Sequence, residues 1–247
     1  MSANWPLIRR DYVSPGFQRI HLDACFPEMM TADPATCTWP YLRHGPHLWY
    51  GDRRFPGTGF LNRDEVHILY NTALRFEGRP ALEIGCFMGW STCHLAAAGV
   101  DLDVIDPILG DTAIRDSITT SMTAAGIVRA VRMHATTSPD GVTTLGRLGM
   151  RWSLIFIDGD HEFPAPVRDA VIGERYAAVD ALIMFHDLNA PAVAEGLYYL
   201  RDRGWDTRIY HTSQIMGVAW RGAVSPVDHV PDRAARWPVP EHLRDLV

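Results

Sequence analysis

The chain of 247 residues contains no lysine, and all 23 of its basic residues are arginine. GC-rich codon usage is the simplest origin of that bias. Whatever its cause, it excludes Schiff-base chemistry, a phosphate-loop lysine and a lysine general base. Long apolar runs are missing too. No stretch reaches the roughly 18 apolar residues that mark a membrane span, and the opening MSANWPLIRRDY lacks the basic-then-apolar pattern of a secretory leader. A cytoplasmic location is therefore expected. Cysteine is scarce: Cys25, Cys37, Cys86 and Cys93 form neither a CxxC pair nor a metal-ligand spacing, and read as reduced, mostly buried small residues. Positive charge is also in deficit. A net charge of -6 argues against a nucleic-acid partner.

What is present suits a globular α/β domain with a modest N-terminal addition: 47% hydrophobic residues can fill a core, and 21% charged residues is too few for a disordered chain. Residues 1–61 read as an irregular cap or lid, rich in Pro, Gly and aromatics such as Trp39, Tyr41, Trp49, Tyr50, Phe55 and Phe60. From residue 62 onward the chain becomes periodic. Asn62 with Glu65 three residues on reads as a capping box opening a helix through Val66, Leu69, Tyr70, Ala73 and Leu74. Short apolar runs at 81–84, 102–106, 130–135, 153–158 and 181–187 alternate with helical patterns near 91–98, 112–125, 138–148, 163–177 and 190–203. That alternation predicts a doubly wound, mostly parallel sheet with helices on both faces. WDTRIYHT and QIMGVAWRG, turning near Ser213, predict a C-terminal β-hairpin that brings the sheet to seven strands. Residues 62–221 would form this domain, with 222–247 as a Pro-rich tail packed on it.

The stretch ALEIGCFMGWST carries the first chemical signal. A strand runs into a glycine-bearing turn and then into a helix, with Ser91 and Thr92 placed as N-cap residues. The spacing is ExGxxxG over Glu83, Gly85 and Gly89, without the middle glycine that a pyrophosphate-binding GxGxxG requires. S-adenosylmethionine (SAM) has no phosphate, and such a loop would let the backbone approach its methionine end. The second strand closes on Asp106, 21 residues after Gly85, where a carboxylate can accept both ribose hydroxyls. Two further groups end neighbouring strands: Asp158, Gly159, Asp160 and His161 on the fourth, His186 and Asp187 on the fifth. In open α/β sheets such strand ends meet at the ligand crevice. Weaker signals are Thr136, Thr137 and Ser138 after the third strand, Gly57-Thr58-Gly59 before the first helix, Tyr210 and His211 in the hairpin turn, and His44 with His47 beside Trp49.

With ALEIGCFMGWST, VIDP, FIDGDHEFPAPVRDA and MFHDLN, residues 62–220 resemble the class I SAM-dependent methyltransferases, and among them the small-molecule O-methyltransferases of the macrocin and catechol types. The resemblance implies a Rossmann-like fold and methyl transfer from SAM to a hydroxyl of a small molecule, a sugar or a natural-product scaffold. It implies Glu83, Gly85, Gly89, Ser91, Asp106, Ser138 and Asp158 as cofactor-binding residues. Metal-dependent relatives hold a divalent ion between an acid at the end of strand four and a pair at the end of strand five, positions held here by Asp158, His186 and Asp187. His186 departs from the usual acid or amide there, so magnesium, a softer ion or no metal all remain open. His161 stands where the catechol type has its lysine base, which makes His161 and His186 the catalytic candidates. Metal-independent O- or N-methylation by a His base, or SAM binding without catalysis, stay as alternatives. A small-molecule acceptor and a homodimer packed through the N-terminal segment are the partners expected.

Overall fold

The computed structural model describes residues 12–31, 50–55, 58–129, 131–233 and 237–246. Trp39, Tyr41, His44, His47, Trp49, Cys37 and Gly57 lie outside them. The N-terminal segment contains a two-stranded antiparallel sheet that its sequence did not announce: β1 (Met29–Thr31) pairs with β2 (Tyr50–Asp52), and Gly51 bridges back to Gly59. Asn62 then caps helix α1 (Arg63–Leu74) as expected. Its side chain accepts from the Glu65 amide, and the Glu65 side chain accepts from the Asn62 amide.

The main body follows in strict alternation: β3 (Pro80–Ile84), α2 (Trp90–Ala97), β4 (Asp101–Ile105), α3 (Thr112–Ala124), β5 (Arg132–His134), α4 (Ser138–Arg147), β6 (Trp152–Ile157), α5 (Ala165–Tyr176), β7 (Ala177–Phe185) and α6 (Pro191–Asp202). The hairpin β8 (Asp206–Tyr210) and β9 (Met216–Arg221) closes it. The sheet runs β5-β4-β3-β6-β7-β9-β8, seven strands as predicted, with β9 antiparallel to β7 and β8 antiparallel to β9. Four of the five parallel strands, β3, β4, β6 and β7, are largely buried on both faces, which is why they read as apolar runs, while β5 at the edge is only half-buried. Along β6, Leu154 and Phe156 face a core shared with α1, α2 and α3, while Ile155 and Ile157 face a second core shared with α4, α5 and α6. The strand order reverses between β3 and β6, so the carboxyl ends of these neighbours, at Gly85 and Asp158, flank the switch-point crevice. Among the described residues, no helix is long and apolar enough to cross a membrane.

Candidate active site

A cleft of about 710 Å³ opens over this crevice, within the range of small-ligand pockets. The glycine loop forms its floor, through Gly85, Cys86 and Phe87; β4 contributes Asp106, the β5–α4 turn Thr137 and Ser138, and the end of β6 Asp158 to His161. Asp187 enters from β7, and Thr58 to Leu61 close the cleft from the N-terminal side. Of the residues expected at the site, Gly85, Ser91, Asp106, Ser138, Asp158, His161 and Asp187 share this one cleft, whereas Glu83, Gly89 and His186 are not among its walls. Tyr210 is buried elsewhere, with its hydroxyl donating to the Val227 carbonyl.

Local geometry gives several of these residues roles other than those their positions in the sequence suggested. Gly85 has φ +83, and a Cβ there would lie 2.2 Å from the Asp158 carbonyl oxygen. The glycine is required because β6 passes against the loop, not only because a ligand comes close. Gly89, at φ +82, is the N-cap of α2, and a Cβ on it would meet Ile118. Ser91 and Thr92 lie inside the first turn of α2 instead of capping it. Thr92 Oγ1 donates to Glu83 Oε2 at 2.5 Å, and Glu83, buried without a countercharge, has its carboxyl pushed up to about 8 by burial. Glu83 therefore supports α2 from behind the cleft wall. Asp106 accepts three backbone N–H bonds, from Cys86 and Phe87 at Oδ2 (2.8 and 3.0 Å) and from Ile108 at Oδ1 (2.9 Å). It shapes the glycine loop while still lining the cleft. Thr137 occupies the N-cap of α4, and Ser138 donates its hydroxyl to Asp169, a cleft residue whose carboxyl burial raises to about 6.

The acid-imidazole group lies at the far end. His161 Nε2 is 3.6 Å from Asp158 Oδ1 and 3.5 Å from Asp187 Oδ2, too long for hydrogen bonds. The facing Asp158 carboxylate nevertheless lifts the His161 imidazole above its usual range, with burial partly opposing. Asp187 has φ +58, a left-handed conformation that Asp tolerates better than most residues. Asp158, His161 and Asp187 each bring one ligand atom within 4.8 Å of the others, making them the set able to hold a metal among the described residues. His186 is not in that set. Its ring is fully buried, with Nδ1 3.1 Å from Asp187 Oδ2 and 3.3 Å from Asp158 Oδ1, and Nε2 3.1 Å from Glu65 Oε2. Burial disfavours its cation, but Asp187, Asp158 and Glu65 outweigh it and lift the imidazole well above its usual range. The expectation of His186 as ligand or base gives way to a ring packed behind both aspartates, with His161 in front of them. Glu65, Arg168 and Asp169 were not singled out as site residues, because each arrives by a contact distant in sequence.

Residues 82–188 match the family model of a methyltransferase domain. Together with the sheet order above, that decides the class. The chain has the class I methyltransferase fold, with a methyltransferase domain over residues 82–188. No curated protein matches it. Solved structures share the methyltransferase fold at low identity. The O-methyltransferase TomG from Streptomyces achromogenes, involved in tomaymycin synthesis and in complex with SAM, is 18% identical over 66% of this chain and 82% of its own, with a TM-score of 0.57. A precorrin-6y C5,15-methyltransferase from Geobacter metallireducens is 10% identical over 66% and 91%, with a TM-score of 0.55. An O-methyltransferase from Bacillus cereus in complex with SAH (S-adenosylhomocysteine) is 13% identical over 62% and 79%, with a TM-score of 0.50. The same fold thus serves oxygen and carbon acceptors, so the acceptor has to be argued from the site.

Proposed function

We propose that this methyltransferase moves the methyl group of SAM to a hydroxyl of a small molecule, a sugar or a hydroxylated natural product. The observation that carries the reading is the single cleft that holds the glycine loop, Asp106 and the Asp158–His161–Asp187 group together. Solved structures of the same fold in complex with SAM and with SAH support the cofactor. In this reading Gly85 and Ser91 flank the methionine end, Asp106 takes the ribose, Thr137 and Ser138 lie by the adenine, and the acid-imidazole group faces the reacting carbon. The acceptor oxygen attacks the methyl carbon in line, the carbon–sulfur bond breaks, and SAH leaves. The hydroxyl proton must go to a base, and His161 is the imidazole that lines the cleft.

The residues also fit a divalent ion. Asp158, Asp187 and His161 would hold it, and the gaps of 3.5 and 3.6 Å between Nε2 and the carboxylates leave that nitrogen without a hydrogen-bond partner. One nitrogen among the oxygen donors favours an ion softer than magnesium. Bound there, such an ion would lower the pKa of an acceptor hydroxyl. Nε2 has a single lone pair, so it serves either the ion or the proton. Assay of methyl transfer from labelled SAM to a panel of hydroxylated sugars and phenols, before and after exhaustive chelation, separates the two. Full activity after chelation assigns Nε2 to the proton. Activity lost and then restored by Mn²⁺ assigns it to the ion. Tight SAM binding with no transfer to any acceptor, or transfer to amines alone, would contradict the proposal.

A further inference from the structure

Glu65 is buried more deeply than a capping box requires. The third-position carboxylate of such a box needs only to reach the N-cap amide, usually at the surface. Here Glu65 is fully buried and uses both oxygens twice. Oε2 accepts from the Asn62 amide at 2.9 Å and faces His186 Nε2 at 3.1 Å, while Oε1 accepts from the Ser213 hydroxyl at 3.2 Å and the Gln214 amide at 3.0 Å. These contacts fill the four acceptor sites of a carboxylate and join α1 to the end of β7 and to the β8–β9 turn. A buried charge persists only with such partners, and its closest ionisable partner is the ring that touches both site aspartates.

We propose that Glu65 is a positioning residue for methyl transfer: by holding the Nε2 edge of His186 it sets the opposite ring edge against Asp158 and Asp187 and so fixes how these two carboxylates face the cleft. A carboxylate on one imidazole nitrogen fixes the ring's orientation and keeps a proton on that nitrogen, as it does behind many ligating histidines. Glu65 thus links a helix cap outside the cleft lining to the carboxylates at the reacting end. This inference rests on the methyl-transfer reading above, and its test can fail separately.

The first arm needs no acceptor. Long-range ¹H–¹⁵N spectra of protein labelled at histidine, with the His186 signals identified by their absence in His186→Gln, report where the ring protons sit. Nε2 protonated on a fixed ring is expected; an unprotonated Nε2 or a rapidly averaging ring overturns the proposal. The second arm compares Glu65→Gln with Ser213→Ala, which removes one Oε1 contact and leaves His186 untouched. Glu65→Gln should lower kcat about tenfold or more, as loss of supporting partners commonly does, with the KM for SAM within twofold. Ser213→Ala should stay near wild type. A Glu65→Gln enzyme with unchanged kcat, or one whose kcat falls only in step with SAM binding, overturns the proposal. If the wild-type protein methylates nothing in the panel, the proposed function fails, and the ring spectra alone judge Glu65.

Discussion

Gly85 illustrates how a motif residue can be read correctly and explained incompletely. Its position after an apolar strand points to a turn, but the 2.2 Å that would separate a Cβ from the Asp158 carbonyl comes from the end of β6, 73 residues further on. Gly85→Ala should destabilise the fold by about 3 kcal/mol or more, because strained φ and a backbone clash act together. Thermal unfolding checks this, and a variant with wild-type stability would contradict it. Glu83 gives a second test at this scale. Its folded pKa, about 8, lies above its ordinary 4.5. Below pH 4.5 the proton is bound in both states and burial carries no ionisation cost. Between pH 4.5 and 8 the folded state keeps a proton that the unfolded chain releases, so stability falls as pH rises. Glu83→Gln removes that slope. Its stability relative to wild type should grow by several kcal/mol between pH 5 and pH 9 in denaturant titrations; a constant difference would show that Glu83 does not titrate this way. Glu83 and His186 were placed in the sequence motifs, but the depth of each behind the wall depends on α2 and α1, which no local pattern specifies.

At the scale of elements, the strands and helices from β3 to β9 were legible to within a few residues, because each is a short apolar run or an amphipathic stretch bounded by Gly, Pro, Asn or Asp. The largest boundary difference is β7, which begins at Ala177 instead of near 181; Ala178 to Asp180 are partly or wholly exposed and carry no buried-strand signal. β1 and β2 escaped because each has only three residues. The first helix tests how far a cap matters. Asn62 makes both halves of the capping box and also donates to Ser213. Asn62→Ala should therefore cost about 1–2 kcal/mol, toward the upper end of the capping range, measurable as a lowered melting temperature. A neutral result would mean that α1 is held by packing alone. The N-terminal segment is tied down in a similar way: Trp90 at the start of α2 donates Nε1–H to the Leu61 carbonyl at 2.9 Å and stacks on Phe60 with ring centroids 6.0 Å apart.

Across the whole molecule, the architecture was accessible because alternation of periods 2 and 3.6 fixes the layers and strand ends converge by topology. Convergence brought Gly85, Asp106, Ser138, the Asp158–His161 stretch and Asp187, from five separate parts of the sequence, into one cleft. Which imidazole faces the cleft was not accessible, since His161 and His186 both follow apolar strands closely and differ only in what packs over them. The arrangement as a whole makes one demand: a sulfonium cofactor must lie across the ends of β3 and β4, with its methyl end toward β6 and β7. A crystal structure with SAH and the wild-type chain tests this most directly. The predicted density runs along Gly85 and Ser91, places the ribose hydroxyls on Asp106 and the sulfur nearest Asp158, His161 and Asp187. SAH bound outside that cleft, or in it with the sulfur turned away from those three side chains, would contradict the account.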